Sequence, residues 1–548
     1  MVYSSGVSGG FGIPASLLND TLTFTLQGYE TKIVEIKVDV YQIIVLKQLS
    51  TLSSIQKQKT VSLVKNWEQL IREKWFVADE SYSNLVENNF IKADKFPNTA
   101  FAARVDKASY SNIRRFINQN SIVPPYAVRI EEMLNYFNFN YKEPDKNEVF
   151  KLESQLTSCP WNAAHQVIFL NLSAKKLNLD KVPPSNFVFL IDVSGSMDIP
   201  NRLPLLKAAF QLLVKNLREK DTVSIVIYGG AVGLWMQPTS GAEKQKIIKA
   251  IEQLSPGGDT PGEAAIKTAY AVAKRTFNKN GNNRIILATD GDFNVGLVNE
   301  KALEEMIAKE RQSGIYLTCL GVGMGNYKDS KIEALAKNGN GNFAYIDDIR
   351  EAEKVLVTEF TQTLYTVAND VYLNVKFNPG LVKEYRLIGY DNKKDILPDT
   401  VLELEGGEIG SGNGITAAFE IVPSNDTSVE DSHKKDIATV TLNYRVPGEI
   451  LQKRTEFTCP QNYLEFKEIC SELRFAAAVT MFGLILRQSK HLGGAELSDV
   501  ANIANESVNP EDYLQNEFLG LVEKVKKLYV KKKKRKGERT KNNVGIIN

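Results

Sequence analysis

Phe187-Val-Phe-Leu-Ile-Asp192-Val-Ser194-Gly-Ser196-Met197 opens with five apolar residues and then sets an acid and two hydroxyls at alternate positions. The apolar run is short for a helix and mixes aromatic with branched side chains, which predicts a strand buried on both faces. Where it ends, Gly195 lets three alternating oxygen side chains curl around one point. Carboxylate and hydroxyl oxygens suit a hard divalent cation. Two later stretches are candidates for the same chemistry, Gly257-Gly-Asp259-Thr260-Pro-Gly262 and Ile285-Ile-Leu-Ala-Thr289-Asp290-Gly291.

Around the first strand, Thr222–Tyr228, Arg284–Thr289, Ile315–Gly321 and Phe343–Ile346 read as further strands separated by helical patterns. In the first helix Leu205, Leu206, Ala209, Phe210, Leu213, Val214 and Leu217 share one stripe. Such alternation predicts an α/β domain with a parallel sheet covered on both faces. Ligands of these sheets sit beyond the carboxyl ends of the strands. Asp192, Thr260 and Asp290 all fall at or beyond such ends.

Asp-x-Ser-x-Ser, then a Thr in a second loop and an Asp in a third, is the order of the metal-ion-dependent adhesion site of the von Willebrand factor type A (VWA) family. The chain resembles that family at all five positions: Asp192, Ser194, Ser196, Thr260 and Asp290. The resemblance implies a Rossmann-like, doubly wound domain over 184–362 that holds Mg²⁺, with Mn²⁺ or Ca²⁺ as substitutes. It implies Ser194 and Ser196 as direct ligands and Asp192 and Asp290 as holders of ordered waters. Thr260 would alternate between direct and water-mediated contact. Two carboxylates leave a dication electrophilic, so an Asp or Glu of a protein partner would complete its shell. Capping of the helix near Leu203 by Asp192 and Ser194 would explain one loop and leave Thr260 and Asp290 unexplained. Asp259, Glu263 and Asp292 flank the site, as cation-capturing charges or as helix caps. Met197–Asn201, Gly229–Trp235 and Phe293–Gly296 are expected to ring it, with Trp235 as an aromatic anchor for the partner.

Outside this domain the strand-like segments 146–183 and 363–460 are expected to form one β-sandwich into which the VWA domain is inserted. Residues 86–145 read as a helical helper segment, with helices at Ala108–Asn118 and after Pro124-Pro125, and 461–530 as a helical C-terminal domain. These parts resemble the bacterial YfbK-like VWA proteins, with one departure: Arg104 stands where that family usually has an acid, while Asp106 is kept. Residues 1–48 resemble half of a carboxypeptidase-regulatory-like β-sandwich, with strands at Leu22–Leu26, Ile33–Val38 and Tyr41–Leu46, and Met1 is expected to be an internal start. Residues 49–85 read as a linker and 531–548 as a basic, disordered tail.

A net charge of +2 argues against a chain-wide nucleic-acid surface, and no apolar stretch reaches membrane-spanning length. Cys319 reads as a buried thiol; a Cys459–Cys470 disulfide stays open, and cysteine usage leaves the compartment open. Gly321-Val-Gly-Met-Gly is only a partial nucleotide fingerprint, and Trp161 reads as a sandwich anchor. His165, His433 and His491 lack metal or triad spacing, and there is no phosphate-binding loop. The chain is therefore expected to be a non-enzymatic protein-binding module. By resemblance its place is the cell envelope, although the N-terminus does not read as a signal peptide. The alternative is a cytoplasmic assembly scaffold working with a separate MoxR-type AAA+ ATPase. Channel activity is not expected.

Overall fold

The computed structural model describes residues 19–24, 31–37, 44, 80–83, 85–178, 180–291, 300–324, 327–390, 406–424, 436–449 and 451–543. They belong to two units, residues 1–76 and 77–548. In the first, Asn19–Phe24 and Lys32–Lys37 form an antiparallel pair. Of Tyr41–Leu46 only Ile44 is described, and most of the expected linker 49–85 lies outside the described residues. The end of that segment is no linker: Ser81 bridges Lys328, and the buried Glu80 pairs with Arg115.

The second unit is organised by a six-stranded sheet. Its strands are β1 (Ser185–Asp192), β2 (Thr222–Gly229), β3 (Ala231–Ser240), β4 (Asn282–Thr289), β5 (Ile315–Val322) and β6 (Phe343–Ile346), in the order β6-β5-β4-β1-β2-β3. All neighbours run parallel except β3, an antiparallel edge strand turned back at Gly230, whose φ is +70°. Successive side chains of a strand face opposite ways. Phe187, Phe189 and Ile191 therefore pack with Leu206, Phe210 and Leu213 on one face. Val188 and Leu190 pack with Ile266, Ala269 and Tyr270 on the other. The expected rim loop Gly229–Trp235 is instead this hairpin and the first half of β3, because the two glycines permit a tight reversal.

Strands from both sides of this domain pair with each other. Gln166–Ala174 and Gly414–Pro423 run antiparallel, from Ser173 opposite Gly414 to Gln166 opposite Ile421. They lie inside a six-stranded sheet that faces a second sheet built on Thr366–Phe377 and Asp436–Arg445. The segment expected to be wholly helical contributes two strands here. Ile91–Lys92 pairs with Val382–Ile388, and Asn98–Ala102 pairs with Thr366–Phe377, burying Phe101. Strands this short carry little periodicity of their own, and their partners define them.

The remaining helices share one core. Phe116, Met133, Leu134 and Phe137 of the N-terminal segment pack with Phe475, Phe482 and Phe518 from the C-terminal end. A Cβ on Gly483 would lie 2.8 Å from Ile130. Pro125 opens a short 3-10 turn, and the helix itself starts at Ile130. The last helix, Tyr513–Asn543, runs on through the basic stretch expected to be disordered. Lysine, arginine and glutamate are good helix formers, so a helix already seated on the core propagates through them. All four cysteines are free, and Cys319 is buried.

Candidate metal centre

Asp192, the last residue of β1, is fully buried. Its Oδ1 accepts the Ser194 amide at 2.9 Å and its Oδ2 accepts the Thr289 hydroxyl at 2.9 Å, which ties the ends of β1 and β4 together. The Ser194 and Ser196 hydroxyls lie 3.1 Å apart, and Ser196 donates to Asp290 Oδ2 at 2.9 Å. Four of the five expected site residues thus form one hydrogen-bonded cluster at the carboxyl ends of adjacent strands.

The fifth, Thr260, is buried on a loop seated against the same strand ends. The Gly195 amide donates to Gly258 O at 3.0 Å, Gly257 to Val193 O at 2.7 Å and Gly230 to Asp259 O at 2.8 Å. Glycine makes this contact feasible. A Cβ on Gly229 would sit 2.6 Å from Val193 O, and one on Gly258 would sit 2.3 Å from the Gly230 nitrogen.

Burial pushes the Asp192 carboxyl up to about 6, with the Ser194 hydrogen bond working against the shift and the Asp290 charge adding to it. Its partners are an amide and hydroxyls, and no cationic side chain among the described residues pairs with it. A buried carboxylate in that position is costly unless a cation joins it. The donors are all hard oxygens, and no group of three or more His, Cys, Asp or Glu that would hold a metal exists among the described residues. A cation with few carboxylate ligands that retains its waters fits this set; Mg²⁺ is such an ion.

Asp290 is different, because it also pairs with the guanidinium of Arg202. Arg202 takes the N-cap position of helix Leu203–Lys215, and no side chain caps that helix, so the capping role considered for Asp192 and Ser194 is not formed. Helix Gly262–Arg275 likewise lacks a side-chain cap; Glu263 pairs with Lys267. Sequence reasoning missed Arg202. The Gly321-Val-Gly-Met-Gly turn makes room for it in the fold: a Cβ on Gly323 would lie 2.6 Å from Arg202 Nε.

The expected rim is only partly a rim. Met197 is buried and Ile199 is exposed. Trp235 lies four residues down β3 from its turn, about 13 Å at the usual strand rise, and its indole N–H donates to Ala250 O at 2.9 Å. Asp292 and Phe293–Gly296 lie outside the described residues.

This fold and this cluster define a VWA-domain protein. The von Willebrand factor type A domain family matches residues 187–292, a von Willebrand factor family matches 77–169, and the C-terminal family of the uncharacterized protein YfbK matches 362–528. Uncharacterized protein YfbK of Escherichia coli (strain K12) is 36% identical over 81% of this chain and 80% of its own length. The chain belongs to the YfbK family of VWA proteins. Inter-alpha-trypsin inhibitor heavy chain H2 of Mesocricetus auratus is 28% identical over 37% of this chain, which spans only 21% of that longer protein. A solved von Willebrand factor type A protein from Catenulispora acidiphila shares 18% identity at a TM-score of 0.39, covering 68% of this chain and 88% of its own. These matched families begin at residue 77, so the partial sandwich expected at 1–48 draws no support from them. Among the described residues no helix is long and apolar enough to cross a membrane.

Proposed function

We propose that the chain is a metal-ion-dependent protein-binding module. Ser194 and Ser196 would hold Mg²⁺ directly, with Asp192, Thr260 and Asp290 around it. The bound ion would supply a Lewis-acidic position for an Asp or Glu of a protein partner. The observation that supports this most is the fully buried Asp192 carboxylate, which accepts the Ser194 amide and the Thr289 hydroxyl and pairs with no cationic side chain among the described residues. The reading is one of binding and not of catalysis. The two serines bond to each other and Ser196 donates to Asp290, and no histidine or lysine among the described residues contacts them as a base. A carboxylate–metal bond exchanges against a bound water and is worth little by itself, so the surrounding surface supplies most of the affinity.

Capture of partners on the immobilised chain, with Mg²⁺ and with EDTA, tests the reading. A set of proteins retained only with Mg²⁺, and lost on Asp192→Ala, is expected. Identical sets in both conditions would overturn it. An AAA+ ATPase in the Mg²⁺-dependent set would point to assembly work in place of adhesion.

A further inference from the structure

Arg202 is 5% exposed, and its guanidinium is shared among three acceptors. Nη1 donates to the Asp290 carboxylate and to Ser196 O at 2.8 Å, and Nη2 donates to Met324 O at 3.0 Å. Gly323, at φ +83°, leaves the space that the side chain fills. Arginine keeps its proton at any pH a folded protein meets, so this charge is permanent. It stands on one of the two carboxylates that the metal reading assigns to the ion.

We propose that Arg202 is a resident cation of the metal site, an inference that rests on the metal-binding reading above. It takes up the charge of Asp290, so that an incoming ion meets the full charge of Asp192 alone. Two effects follow from Coulomb's law in a partly dry site. The fixed positive charge repels the dication and lowers its affinity. An ion neutralised so little by its protein ligands demands an anionic oxygen more strongly, so the site selects a partner's carboxylate over water or a neutral carbonyl. Specificity here comes from charge count: with Arg202 in place, a carboxylate would gain more over an uncharged ligand at the ion's open position.

Arg202 also ties the Ser196 loop to the turn at Met324, and a pure brace would be the competing role. The two roles predict opposite signs. Removing a brace loosens the serines and weakens metal binding. Removing a resident cation strengthens it, because Asp290 is released to the ion.

Titration calorimetry of the whole chain with Mn²⁺ alone separates them, using wild type, Arg202→Met, Arg202→Gln, Arg202→Lys and Asp192→Ala. Both neutral variants should bind Mn²⁺ at least about tenfold more tightly than wild type. Lysine keeps the charge but cannot make all three hydrogen bonds, so Arg202→Lys should stay within about threefold of wild type. Folded neutral variants that bind no more tightly than wild type would overturn the proposal. Should neither neutral variant fold, Arg202→Lys decides alone: clear weakening means a brace, and near-equality means a resident cation. Absence of Mn²⁺ binding by every protein, the neutral variants included, would remove the metal reading and this inference together. Binding by wild type but not by Asp192→Ala, without tightening at Arg202, would remove this inference only.

Discussion

The candidate metal centre and the seam between the N-terminal helices and the central domain both bury charge, and they treat it in opposite ways. At the seam three guanidiniums are closed by carboxylates of the same chain. Arg114 donates to Asp347, to Glu351 at 2.7 Å and to Glu517 at 2.9 Å. Arg115 holds both oxygens of Glu80, at 2.7 and 2.8 Å. Arg129 reaches Glu132, and Asp329 at 2.7 Å. At the candidate metal centre Asp290 has Arg202, and Asp192 has no cation among the described residues. Charge that must hold segments together is matched inside the fold. Charge left unmatched at strand ends is available to something outside it.

The largest effect should come from opening the seam. Arg114→Met leaves Asp347 and Glu351 buried without their partner, a loss of about 3–5 kcal/mol in urea unfolding. Unchanged stability would mean that the seam's ion pairs only balance their own desolvation. Mn²⁺ affinity of the folded variant should stay close to wild type, since Arg114 donates to no metal-site residue.

The candidate metal centre should respond with the reverse sign. Asp192 has a carboxyl raised to about 6, against about 3.9 in an unfolded chain. Below about pH 4 both states are protonated and the group has no effect. As pH rises the unfolded chain ionises first, so the metal-free fold loses stability until about pH 6, by roughly 2–3 kcal/mol in all. Asp192→Asn removes that penalty. In EDTA the variant should melt above wild type at pH 8, with the difference vanishing near pH 4. It should also lose the melting shift that Mn²⁺ gives wild type. Lower stability of the variant at pH 8 would show that Asp192 is not strained in the metal-free fold.

The smallest effect belongs to Trp235. Its side chain is bonded to Ala250 O and lies well down β3, so Trp235→Ala should cost about 1 kcal/mol and leave Mg²⁺-dependent capture unchanged. Loss of partners without loss of stability would make Trp235 a docking residue and extend the working surface far beyond the strand ends.

How far the sequence could be read follows the range of the interactions. β1, β2, β4, β5 and β6 were legible because a buried parallel strand announces itself in consecutive apolar residues. β3 was not, since Ala231–Ser240 is an exposed edge whose pairing is set by the Gly230 turn and by β2. The clustering of Asp192, Ser194 and Ser196 was legible from their alternate spacing together with the resemblance to the VWA family. Arg202 was not, because its acid lies 88 residues away and nothing local marks the pair. Ile91–Lys92, Asn98–Ala102 and the packing of Phe137 against Phe518 were hidden for the same reason.

The amino-acid sequence by itself determined the alternation of strand and helix and four of the five oxygen side chains, Asp192, Ser194, Ser196 and Asp290, placed at or just beyond strand ends; Thr260 lies on a loop between two helices that the fold seats beside them. Backbone sterics and hydrophobic periodicity act over a few residues, and that is the range a sequence displays. Only the tertiary structure decided which carboxylate keeps a cation of its own and which strands close the sandwich around the central domain. It also decided that the helices Ala108–Asn118 and Ile130–Tyr136 share one core with those at the C-terminal end. Those outcomes depend on contacts between distant residues, where burial removes water and makes each charge answer to whichever neighbours the fold has brought to it.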